Sequence, residues 1–371
     1  MKKIIQTYLV IVLTIAILTM QFACGKGGDS PAPDNNNYTT VTYSGSTYLS
    51  EARDNLAATS LGNRIFFAGG VINPNVAASK AVDVYDVNTG TWSTFALSTG
   101  RGYLATAATG GKVYFAGGLN SAGFTPYDNV DIYDPGTQKT TQTKLSVGRA
   151  ALAGAGIGNT IVFAGGAILG GASSVVDIFD VATGLSTTTN LSEARYYMGT
   201  ATAGTKIFFA GGSTANSVSK TVDIYDVNSK QWTTTQLSVA RTNVSAVTVG
   251  KKILFAGGTT TTAASATVDI YDTEQNTWSV AQLSEARTFI AGAAVGNKAF
   301  FAGGYNSAFQ PSQTIDVYDS NTGNWSVLQL QAARIRCAAA GAGNKILVGG
   351  GDTNPVSAGP LNAVEIFTLS K

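Results

Sequence analysis

Seven hydrophobic runs of this chain close on a double glycine whose second residue is Gly70, Gly118, Gly166, Gly212, Gly258, Gly304 or Gly350. The spacings between them are 48, 48, 46, 46, 46 and 46 residues. A fixed period of this size marks an array in which each repeat is one supersecondary unit that cannot bury its apolar face alone. A chain of 371 residues has room for two or three ordinary domains. The repeat spans nearly all of it, so seven units in one closed body are expected instead.

Within the first unit, residues 55–61 read as a strand and Gly62-Asn63 as a two-residue turn. Residues 64–68 read as a second strand, residues 81–86 as a third, and a last one starts at Thr91. The turn recurs as Gly158-Asn159, Gly296-Asn297 and Gly343-Asn344, pairs that supply the positive φ of tight hairpins. Four antiparallel strands per unit make one propeller blade. The first strand is rich in Ala, Gly and Thr, as the crowded axis of a propeller requires, and the large residues fall further out. The seventh unit ends at Lys371 with three strands, while residues 39–44 read as an orphan strand ahead of unit one. The expected fold is therefore all-β, a seven-bladed propeller over residues 38–371 whose ring is closed by the N-terminal strand.

These residues also carry a resemblance. A run ending in Gly-Gly, then a Tyr, a Trp seven residues later, and an Arg ahead of the first strand resemble the kelch repeat. The Tyr place holds Tyr85, Tyr133, Phe179, Tyr225, Tyr271, Tyr318 and Phe367. The Trp place holds Trp92, Trp232, Trp278 and Trp325, with Thr140 and Ser186 breaking the pattern in units two and three, whose rims are expected to pack less firmly. The resemblance implies a propeller that binds partners at its channel mouth, where arginines can grip acidic ligands.

Only 12% of the residues are charged, and beyond Lys2 and Lys3 the balance is 22 basic to 22 acidic, so no basic field exists for nucleic acid. The chain has no histidine, which removes the commonest general acid/base and the commonest transition-metal ligand. With only Cys24 and Cys337, thiolate metal cages and a disulfide framework are excluded. No cofactor or metal is expected. Cys337 reads as a buried, inert thiol.

Lys2 and Lys3 precede an apolar stretch over residues 8–20, too short for a comfortable membrane span, and Ala23-Cys24 follows. This resembles a bacterial lipoprotein signal, with Gln21 standing where that family prefers an aliphatic residue. It implies residues 1–23 as a signal peptide, lipidation at Cys24, residues 24–37 as a flexible tether, and a location in the cell envelope, at the outer membrane or cell surface.

Each unit carries one arginine (Arg53, Arg101, Arg149, Arg195, Arg241, Arg287, Arg334) and one acid (Asp83, Asp131, Asp177, Asp223, Asp269, Asp316, Glu365) near the same face. Seven bases matched by seven acids read as a repeated internal ion pair. Two residues beyond each Arg the chain stops being uniform, with Asn55, Tyr103, Ala151, Tyr197, Asn243, Phe289 and Arg336. Variation at an equivalent place suits a pocket. Tyr103, Tyr197 and Phe289 offer flat faces to a sugar or peptide, Arg336 an unpaired charge to a carboxylate, and Asn55 and Asn243 amides. The longer loops of units six, seven, one and two add Tyr305, Phe309, Phe124, Tyr127 and Asp128 as an exposed rim, with Asp352 nearby.

No nucleophile elbow, phosphate loop or calcium loop is present in the sequence. The sequence thus points to a monomeric, non-catalytic envelope protein that recognises a glycan or protein partner on its loop face. The alternatives are a carbohydrate-active enzyme (anomerase, epimerase or lyase) on the same propeller, and a structural component of an envelope complex.

Overall fold

The computed structural model describes residues 37–73, 77–120, 125–353 and 359–371. Cys24, Phe124 and the export and tether segments before residue 37 lie outside them. All regular structure among the described residues is β-strand, in seven four-stranded antiparallel sheets plus three small two-stranded ladders. Blade one contains, from the axis outward, Ala57–Leu61, Arg64–Ala68, Ala81–Asp86 and Thr91–Ala96. The other blades repeat this order, and their innermost strands touch one another in a closed cycle from Ala57–Leu61 round to Ala338–Ala342.

The sequence pattern follows from depth in the blade. The second strand is covered on both faces by neighbouring blades, so Ile65 to Ala68 is an unbroken buried run without alternation. The outer strand is exposed apart from single half-buried positions, Trp92 and Phe95 in Thr91–Ala96. Seven apolar clusters fill the seven gaps between blades. In one of them Phe66, Val82 and Val84 of blade one meet Leu104, Val113 and Phe115 of blade two. Phe179 is buried without a Trp in its blade, and Tyr271 is half-buried under Trp278, so side-chain burial at the Tyr place does not follow the Trp pattern.

Blade seven is built from Ala338–Ala342, Lys345–Gly349, Ala363–Ser370 and, outermost, the N-terminal strand Thr40–Tyr48. That strand is longer than the sequence suggested and pairs from Thr40 with Ser370 to Tyr48 with Ala363, with a bulge between Tyr43 and Gly45. Tyr38 anchors its start. The Tyr38 N–H donates to Asn297 Oδ1 (2.8 Å), and its carbonyl accepts from Asn297 Nδ2 (3.1 Å). Asn297 belongs to a turn between first and second strands, so the chain enters the ring on the face of tight turns, opposite the loops.

The double glycines join neighbouring blades. Gly70 donates to the Arg101 carbonyl of the next blade at 3.0 Å, and ring closure repeats this from Gly351 to the Arg53 carbonyl at 2.9 Å. Gly70 has φ +110, and a Cβ there would lie 2.7 Å from the Asp54 carbonyl. Only glycine tolerates that conformation and that approach together. The seventh pair is therefore Gly350-Gly351, one residue later than the expected register, because Gly349 takes the strand place that Ala68 holds in blade one. The hairpin turns likewise need positive φ only at the glycine, as at Gly62 (φ +58), and not at the following Asn.

Candidate functional site at the channel mouth

All seven repeat arginines are buried, and each meets the acid of its own blade. Arg241 is representative. Its Nη1 donates to the Gly257 and Thr267 carbonyls (both 2.6 Å) and its Nη2 to the Phe255 carbonyl (3.3 Å) and Asp269 Oδ2. The other oxygen of Asp269 accepts the Ser238 N–H at 2.8 Å, in the segment arriving from the preceding blade. One buried pair thus ties two strands and the incoming linker together. These arginines are architecture, and none lines the mouth cavity.

One residue beyond each Arg, a backbone bridge fixes the chain to the residue after the double glycine: Asp54 to Val71, Gly102 to Leu119, Tyr196 to Ser213, Ile335 to Asp352. The chain must then turn into the innermost strand, and it does so at the next residue. Asn55, Tyr103, Ala151, Tyr197, Asn243, Phe289 and Arg336 all adopt φ between +48 and +56. Left-handed backbone favours glycine, accepts asparagine, and costs about 1–2 kcal/mol for other residues. Five links of a backbone belt join six of them, all but Phe289, running from the Asn55 N–H onto the Arg336 carbonyl (3.1 Å) round to the Asn243 N–H onto the Tyr197 carbonyl (3.0 Å).

These seven residues, with the layer beneath them (Leu56, Leu104, Leu152, Met198, Val244, Ile290, Cys337), line a cavity of about 260 Å³ at the mouth. Below it the channel widens to about 1170 Å³ between walls of Ala, Gly, Thr and Ser, opening towards the turn face. The mouth rings form a chain of contacts. Tyr197 lies 6.4 Å from Tyr103 and 6.2 Å from Phe289, and Phe289 lies 6.1 Å from Tyr305, each pair edge to face. Burial holds the phenols of Tyr103 and Tyr197 above their ordinary pKa, so both keep the proton and can donate it in a hydrogen bond. Cys337 is buried, and desolvation pushes its thiol up to about 11.

Arg336 is not the unpaired charge that the sequence suggested. Its Nη1 lies 3.2 Å from Asp54 Oδ2, its Nη2 3.4 Å from the Tyr305 hydroxyl, and its guanidinium 5.9 Å from the Tyr305 ring centre. Burial raises the Asp54 carboxyl above the usual range, against the Arg336 hydrogen bond and charge that lower it; nearby Asp352 raises it further. Sequence reasoning missed Asp54 because its partner is 282 residues away and meets it only through ring closure.

The other rim residues are dispersed. Tyr305 is buried rather than exposed, and reaches the site through Phe289 and Arg336. Tyr127 is half-buried beside Arg101, outside the cavity lining, where other blades place Ser79, Ser173, Ser219, Ser265 and Ser312. Asp128 pairs with Lys144 at 3.0 Å in solvent, and Phe309 is exposed. Among the described residues no cluster of three or more Cys, Asp or Glu side chains is arranged to hold a metal ion.

The KLHDC2/KLHL20/DRC7 Kelch-repeats domain family matches residues 155–351, more than half of the chain. No curated protein matches it.

Proposed function

The chain belongs to the Kelch-repeat family, and from that premise we propose that it is a non-catalytic binding protein whose loop-face mouth recognises a glycan or protein partner at the cell envelope. One observation carries the reading. A backbone place that favours glycine is held in all seven blades by residues with side chains, of five different types, and all seven surround one cavity. Strained backbone kept where a side chain faces a cavity points to a use for that side chain. Proteins with this propeller commonly serve as binding platforms.

Placement on the envelope fits the chain's entry point. Tyr38 enters on the turn face, so a lipid at Cys24 and its tether would hold that face towards the membrane and turn the mouth outward. The experiment is a comparison of the full chain with Ala151→Trp, whose indole fills the cavity. Glycan-array binding or crosslinking to a defined partner on intact cells should be lost in the variant. Equal binding by both proteins would move the function off the mouth. An enzymatic reading rests on Asp54, a carboxyl held above its usual range by burial. Turnover of a sugar at substoichiometric protein would favour it.

A further inference from the structure

The mouth cavity has a composition that selects among ligands. Of its fourteen lining residues only Arg336 is charged. That charge is already compensated by Asp54, a side chain only 9% exposed that sits behind the guanidinium. An incoming anion would compete with a carboxylate that is fixed in place, and an incoming cation would meet Arg336. What remains is neutral hydrogen-bonding capacity. The Asn243 amide, the Tyr103 and Tyr197 hydroxyls, and the part of the Asn55 amide not engaged by Asp54 give donors and acceptors around half-buried aromatic rings.

Size narrows the choice. At about 260 Å³ the space falls just under the roughly 300–1,000 Å³ of pockets for drug-sized ligands, so it holds one ring-sized unit. The surrounding surface argues against a flat protein interface. Such interfaces need about 800 Å² per partner with aromatic anchors near the centre. Described loops such as residues 213–219 and 259–265 instead consist of Ser, Thr, Ala and Asn with the single Val218. Among the described residues the most exposed large apolar side chains of the loop face, Leu169 and Phe309, stand in different blades.

We infer that the mouth binds one neutral pyranose ring, the terminal sugar of a glycan, with an apolar ring face on Tyr103, Tyr197 or Phe289 and its hydroxyls on Arg336, Asn55 and Asn243. This rests on the binding reading above and specifies it. Aromatic rings carry a face that attracts the polarised C–H groups of a sugar, while planar amide and guanidinium groups match hydroxyls that both donate and accept. Asp54 is a positioning residue, since it orients Arg336 from behind.

The test uses the purified full chain and saturation-transfer NMR with the methyl glycosides of glucose, galactose, mannose and N-acetylglucosamine. Glucuronic acid and Nα-acetyl-arginine methyl ester serve as charged probes. At least one neutral glycoside is expected to bind, and to weaken about three- to tenfold in Tyr103→Ala and Tyr197→Ala, the worth of one aromatic contact. Ala151→Trp should abolish the signal in a protein that still unfolds cooperatively, which shows that the loss is not loss of the fold. Preference for either charged probe, or no glycoside signal that Ala151→Trp removes, overturns the inference. A photo-crosslinker at position 151 separates the two levels. Capture of one defined protein on cells with no glycoside binding leaves the mouth as a recognition site but refutes the sugar, and failure of both refutes both.

Discussion

Replacing Arg241 by Met tests whether the repeated pairs hold the ring together. Met keeps much of the side chain's bulk but removes the donors to the Gly257, Thr267 and Phe255 carbonyls and leaves Asp269 charged and buried. Removing one partner of a buried pair costs about 3–5 kcal/mol. Unfolding entropy of about 2.1 cal/mol/K per residue, over roughly 330 residues, converts this to a Tm lower by about 4–7 °C. The second replacement is more telling. In Arg241→Met/Asp269→Leu the stranded charge is gone, and the new loss is the bond from the Ser238 N–H, worth about 1–3 kcal/mol. The double variant should therefore melt about 3 °C above the single, although it carries more changes. Calorimetry at pH 7 and pH 5 provides the assay. The Arg241→Met deficit should shrink at pH 5, because a stranded carboxylate has a raised pKa and gains stability as it takes up a proton. As a control, Lys251→Met breaks an exposed pair with Glu274 and should move Tm by about 1 °C or less. A single-variant loss under about 2 °C, or a double variant below the single, would refute the argument.

Further outcomes follow from the same geometry. Deleting residues 38–48 strips the outer strand from blade seven and the Tyr38–Asn297 latch, and should lower Tm more than Arg241→Met; an unchanged Tm would mean that the ring closes without it. Asp134, Asp180, Asp226 and Asp272 accept turn N–H groups, led by those of Thr137, Thr183, Ser229 and Gln275, which hold their carboxyls below the usual range. Their contribution is present above the ordinary carboxylate pKa of about 4 and is lost as pH falls through the lowered values, so a melting curve flat from pH 7 to pH 2 would contradict it. Cys337, with its thiol near 11 and buried, should resist iodoacetamide at pH 7.5 until denaturant is added, as mass spectrometry would show.

Much of this architecture was legible because repetition turns weak local signals into a strong one. The double glycines that count the blades and the seven arginines with their seven acids recur at nearly fixed offsets, visible in one sequence, and the closing strand shows as the one strand that the seventh unit lacks. The triple glycine at residues 349–351 shows the limit of that reading. Letters alone do not say which two take positive φ, and the strand pairing of Gly349 with Val364 settles it. The mouth was legible as a place, through variation two residues after each Arg, but its chemistry was not. No sequence signal announces left-handed backbone at Tyr103 or Phe289, and none joins Asp54 to Arg336 across the ring seam.

That seam explains where asymmetry arises in a body made of near-identical parts. Six blade junctions join units consecutive in the chain, and the seventh joins blade seven to blade one. The only charged residue of the seven mouth positions, Arg336, belongs to blade seven, and its acid, Asp54, belongs to blade one. The aromatic residues Tyr103, Tyr197 and Phe289 come from blades two, four and six, with Ala151 and Asn243 between them, so large and small side chains alternate from Tyr103 to Phe289. Neighbouring large rings would crowd, because the backbone belt already brings adjacent blades within hydrogen-bonding distance. Alternation lets rings from blades two apart meet edge to face at 6.2–6.4 Å and still leave a recess. The rule has a consequence for variants. Asn243→Tyr would place three large rings on consecutive blades and should close the recess, whereas Tyr197→Asn should enlarge it. Xenon or small-ligand binding at the mouth would distinguish these outcomes, and an Asn243→Tyr protein that binds as before would show that alternation is not what keeps the mouth open.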